Sequence, residues 1–95
     1  MDKDTIRKGT TSTGFEFEID IRRLDDMELI DIMAEVDENA LLLTKMCRMI
    51  LGDEQKKRLY DHLRTDEAGF SRVPVDALTN EITEIFKLAE EAKNS

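Results

Sequence analysis

Tryptophan is absent from this chain of 95 residues, and four phenylalanines and one tyrosine are its only aromatics. Leucine, isoleucine and methionine must therefore fill its core, and methionine is an adaptable rather than a sharply defining filler. A single cysteine, Cys47, excludes an internal disulfide framework and favours a reducing compartment. A single histidine, His62, supports no Ser-His-Asp or Cys-His arrangement; beside Asp61 on a charged helix it reads as an exposed or half-packed side chain. The serines, Ser12, Ser71 and Ser95, lack a nucleophile-elbow setting. Four scattered glycines make no phosphate-cradling loop.

Adjacent acids such as Asp25-Asp26, Asp37-Glu38 and Asp66-Glu67 point apart on a helix, and no loop carries the alternating oxygen pattern of a calcium site. The expectation is a non-enzyme with no metal and no cofactor. A membrane span needs about 20 apolar residues, longer than any apolar run here, and no apolar leader segment follows Met1, so secretion is unsupported.

What the chain does have is one oily stretch. Nine of the twelve residues from Ala40 to Leu51 are apolar, in a protein of which 38% is charged. On a helical projection Thr44, Lys45 and Arg48 share one narrow stripe, and the rest is apolar. A helix of that kind must be surrounded, by its own domain or by a partner. Burial in so apolar a setting should also raise the Cys47 thiol pKa and quiet it.

Net charge is −8, and it is unevenly placed. Residues 25–39 hold seven acids and no base, whereas residues 40–65 carry a net +3. A chain so acidic repels a phosphate backbone, so nucleic acid is not an expected partner. The simplest role for the acids is a solvated, solubilising face.

Length and patterning indicate a mainly α fold with a small β element (α+β): one globular domain over 15–92, a flexible segment 1–14 and a frayed end 93–95. Phe15 to Ile21 alternates apolar and acidic residues, the period of a half-buried strand or hairpin element. Its partner could be the threonine-rich stretch before it, Phe70–Val73, or the same strand of another copy. About four short helices follow. Asp25 should cap the first, with Glu28 completing a capping box, and Leu29, Ile30, Met33 and Val36 should face inward. Asn39 should cap a second helix from about Ala40 to Leu51, stopped by Gly52. Asp53 should cap a third through about Arg64, with Glu54–Arg58 and Lys57–Asp61 as surface pairs. Pro74 suits the first turn of a fourth, whose stripe is Val75, Leu78, Ile82, Ile85, Phe86 and Ala89.

Two segments together carry a family likeness: Thr11-Ser12-Thr13-Gly14-Phe15-Glu16-Phe17-Glu18-Ile19-Asp20 with Leu24–Leu29 behind it, and Leu51–Arg64 followed by a turn and Arg72-Val73-Pro74-Val75-Asp76-Ala77. In this order and spacing the chain resembles the small tail assembly chaperones of long-tailed bacteriophages and prophages of Gram-positive hosts. That resemblance implies a non-structural protein of the bacterial host cytoplasm. It would bind the long, apolar, helical tape measure protein in several copies, keep it soluble, and help recruit the major tail-tube protein. The family offers no fixed binding motif. The partner surface expected from the residues themselves is Leu41, Leu42, Met46, Met49 and Ile50, with Met33 nearby, while Leu43 and Cys47 could serve the core. Phe15, Phe17, Ile19 and Ile21 form a possible self-association strand by edge addition.

Two other classes fit the composition. One is an acidic inhibitor imitating nucleic acid, with Glu28, Asp31 and Glu35 standing in for phosphates. The other is an accessory subunit whose leucine-rich helix docks permanently into a larger complex.

Overall fold

The computed structural model describes residues 3–93. A 3-10 turn, Lys3–Thr5, leads into strand β1, Ile6–Thr10, which pairs antiparallel with β2, Glu16–Asp20. The pairing runs from Ile6 opposite Asp20 to Thr10 opposite Glu16. The strand partner is therefore the segment just before β2. Residues 6–10, expected to be flexible, are held in a ladder; Met1, Asp2, Asn94 and Ser95, which the expected loose ends include, lie outside the described residues. Gly9 is fixed by packing: a Cβ there would lie 2.6 Å from Cζ of Phe17, whose ring covers the glycine opposite it.

After a 3-10 turn, Ile21–Leu24, come three helices: α1, Met27–Glu35; α2, Leu43–Leu63; and α3, Val75–Lys93. A small hairpin, β3 (Thr65–Glu67) with β4 (Phe70–Arg72), separates the last two. It turns through Ala68 and Gly69, both at positive φ, as a tight two-residue hairpin turn requires. The architecture is mostly helical with two small antiparallel hairpins.

Four details of the helices differ from the sequence reading. The cap of α1 is Asp26 rather than Asp25: its carboxylate accepts from the Glu28 N–H at 2.9 Å, and its carbonyl from Ile30 at 3.2 Å. There are three helical elements rather than four, because the expected second and third run on as one of 21 residues; they meet at Gly52, whose φ 81°, ψ 165° is not helical. That conformation is open to glycine alone, so the stop signal at Gly52 acts as a bend. Asp53, expected to cap a separate helix, accepts instead from Arg48 Nε at 2.9 Å across the bend. Side chains also satisfy carbonyls near the bend: Arg23 donates to the Met49 carbonyl at 3.2 Å and Gln55 to that of Leu51 at 2.9 Å. The pairs anticipated on the far half of α2 are replaced too, Asp61 lying 3.8 Å from Arg64, and Arg58 donating to the Glu16 carbonyl at 2.8 Å.

The core lies where the inner faces of all three helices meet the buried side of β2. Phe15, Phe17 and Ile19 supply the sheet side, Leu29 and Ile32 come from α1, and Leu43, Met46, Cys47, Ile50, Leu51 and Leu59 from α2. Leu78, Ile82, Ile85 and Ala89 of α3 close it, with Phe86 partly buried, while Val75, expected in that stripe, is exposed. Asn39 caps the 3-10 turn Ala40–Leu42 that feeds α2, accepting from the Leu41 N–H at 3.1 Å.

Candidate partner surface

The oily helix is mostly satisfied from within. α1, α3, β2 and two 3-10 turns pack against α2, and Thr44, Lys45 and Arg48 form the solvent stripe of its first half as their spacing requires. The six residues expected to face a partner therefore part company. Leu41 is 84% exposed, but Ile50 is fully buried and Met46 nearly so. Leu42, Met49 and Met33 are half-buried and packed against the core. Met46 and Ile50 are core residues, not surface ones, because they lie on the same inward side as Leu43 and Cys47. Burial pushes the Cys47 thiol up to about 11, the inert setting expected of it.

The strand expected to pair between copies is likewise committed within the chain. Phe15, Phe17 and Ile19 are buried, and Ile21 lies half-buried in the turn after the strand. One edge of β2 is taken by β1. At the other, the Gln55 amide accepts from the Glu18 N–H at 2.8 Å and donates to the Glu18 carbonyl at 2.6 Å, as a neighbouring peptide group would. Arg58 holds the Glu16 carbonyl and lies 5.1 Å from the centre of the Phe15 ring. Both edges of β2 are thus engaged within the chain, and its apolar side chains serve the core rather than an open edge.

A feature missed in the sequence is the tie between the first hairpin and α3. Glu81 is only 2% exposed, and its Oε2 accepts from the hydroxyls of Thr11 at 2.6 Å and Thr13 at 2.8 Å. Ser12 donates its N–H and hydroxyl to Glu84 at 2.7 and 2.8 Å. Thr13 also meets His62 Nε2 at 3.0 Å, and the His62 ring sits 5.4 Å from that of Phe15. The lone histidine thus braces a turn. The buried acid is tolerable because its carboxylate is hydrogen-bonded. Glu81 falls within the inward stripe of α3, one residue before Ile82, and an acid at such a position was the available signal.

The other missed feature is on α1. Its buried side is Leu29 and Ile32, with Met33 and Val36 partly covered, so Ile30 points out rather than in. Met27 is 69% and Ile30 42% exposed, and Ala34 is exposed as well. At i, i+3 and i+7 these three fall within about 60° of arc on the outer side of the helix. Exposed Glu28, Asp31 and Glu35 flank them on one side, and half-buried Met33 lies on the other. Of these three, the sequence reading places only Ile30, and places it inward; the structure turns it out.

Among the described residues, no group of three or more His, Cys, Asp or Glu side chains gathers to hold a metal ion, and no helix is long and apolar enough to cross a membrane. Comparison with protein-family models, with curated proteins and with solved structures finds no match to this chain.

Proposed function

We propose that this protein is a tail assembly chaperone of a phage or prophage, which binds the apolar helical tape measure protein, keeps it soluble in the host cytoplasm, and helps deliver tail-tube subunits to it. The observation that carries the reading is the apolar surface left exposed on α1. Met27 and Ile30 are exposed there on a strongly acidic chain, and Leu41, Phe70 and Val75 are exposed on other elements. Such a surface suits docking of a partner's amphipathic helix, and the acids around it keep the free chaperone soluble.

A long amphipathic helix at high concentration aggregates unless its stripe is covered, and a small domain with an apolar strip and a charged rim covers it reversibly. Exposed Glu28, Asp31 and Glu35 lie along one side of α1, as a nucleic-acid mimic would need, but the apolar stripe beside them favours a helical protein client.

The reading expects the gene to lie between those of the major tail protein and a very long tape measure protein. Co-expression should move that long protein from the pellet to the soluble fraction. An unrelated gene neighbourhood together with no gain in solubility would reject it.

A further inference from the structure

We infer that the outer face of α1 is the client-docking face, and that the segment it takes is an amphipathic helix whose apolar stripe is bordered by lysine or arginine. The inference rests on the chaperone reading for the existence of a helical client, but takes the client's charge from this chain alone. The stripe of Met27, Ile30 and Ala34 is exposed while the opposite side of the same helix is anchored in the core through Leu29 and Ile32. The strip is therefore held on a rigid support, the arrangement a groove partner needs.

Charge selects the occupant. The whole segment 25–39 contains seven acids and no base, and Glu28, Asp31 and Glu35 border the stripe directly. A second copy of this chain docked on its own α1 would bring its Glu28, Asp31 and Glu35 against these. Like charges across an interface are costly, so the face rejects itself. A stripe bordered by glutamate is rejected for the same reason. A stripe bordered by lysine or arginine places a cation over each acid and lets the long aliphatic stems extend the apolar contact. α1 has nine residues, roughly 13 Å of helix, so one copy covers only about two to three turns of its client. Strong coverage then needs many copies along one long helix, each contributing modest affinity.

The test uses the full chain and two synthetic helical peptides with the same leucine–alanine stripe, one bordered by lysine and one by glutamate. Binding is followed by fluorescence anisotropy and by amide chemical shifts. The lysine-bordered peptide should bind at least about tenfold more tightly, weaken as salt rises, and shift the amides of residues 27–35. The variant Asp31→Lys/Glu35→Lys changes only exposed side chains, and circular dichroism checks that it folds. It should reverse the peptide preference. The wild-type comparison alone decides the matter should that variant fail to fold.

Equal binding of both peptides, tighter binding of the glutamate peptide, shifts confined to residues outside α1, or no binding of the lysine peptide at millimolar concentration would overturn the inference. If the lysine peptide fails while co-expression still solubilises the long client, the docking assignment falls and the chaperone reading stands. If the peptide binds as expected and co-expression fails, the reverse holds.

Discussion

Replacing Ile50 and Leu41 by alanine, one at a time, separates core from surface within a single apolar stretch. Ile50 is fully buried among Met46, Cys47 and the facing residues of α1 and α3, whereas Leu41 is 84% exposed at the start of the same run. Truncating a buried isoleucine removes its transfer free energy and leaves a cavity, together about 2–5 kcal/mol. In a domain of this size each kcal/mol moves the melting temperature by about 4–8 °C. Ile50→Ala should therefore lower Tm by at least about 8 °C, a large share of the stability of a small domain that holds only about 5–15 kcal/mol in total. Leu41→Ala should stay within about 0.5 kcal/mol, no more than a few degrees. Thermal and urea denaturation followed by circular dichroism at 222 nm gives both values. Similar shifts for the two variants, or a near-neutral Ile50→Ala, would refute the packing described for α2.

Four further outcomes follow. Gly52→Ala places a Cβ on a backbone at φ 81° and should cost about 1–3 kcal/mol in the same melts, although that Cβ would meet only Arg23 Nη2, at an unstrained 3.8 Å; a neutral result would mean that α2 is not bent there. Gln55→Ala removes the amide sealing the β2 edge, so the Glu18 amide should exchange with solvent faster while the amide of Phe15, bonded to the Thr11 hydroxyl, keeps its protection; unchanged Glu18 exchange would contradict the seal. Glu81→Leu leaves the Thr11 and Thr13 hydroxyls without their buried acceptor and should destabilise by about 1–3 kcal/mol, whereas a neutral or more stable variant would show that the tie to α3 contributes nothing. The buried thiol of Cys47 holds its proton to about 11, above the ordinary value of 9.0. Between those values the unfolded state has already lost that proton and the folded state has not, so stability falls as pH rises through this window, by up to about 2–3 kcal/mol. Cys47→Ala should flatten that part of the pH profile, and an identical fall in both proteins would assign it to other groups.

Much of the fold could be read because local signals agreed with one another. The alternation Phe15 to Ile21 marked a strand, the 40–51 run a surrounded helix, and Gly52 a break, since each depends on periodicity or on a conformation reserved for glycine. What could not be read depended on contacts far apart in sequence. Gln55 beside Glu18 and Thr11 beside Glu81 are separated by 37 and 70 residues, and nothing local requires either pairing. The division of α1 failed for a subtler reason. Two apolar stripes run along it, one through Leu29 and Ile32 and one through Met27 and Ile30, and a helix with apolar residues on both sides does not itself specify which side is covered. The same ambiguity misplaced Met46 and Ile50. Composition sees that the 40–51 helix is oily; it does not see that α1 and α3 are available to cover most of it.

The most direct test is co-expression of the long helical client, in parallel, with the wild-type chain and with Met27→Asp/Ile30→Asp, a variant that puts charge on the exposed stripe and leaves every buried residue in place. The client should be soluble and co-purify with the wild type, and should precipitate beside the variant even though the variant itself is folded and soluble. A client equally soluble with both proteins, or insoluble with both, would contradict the account.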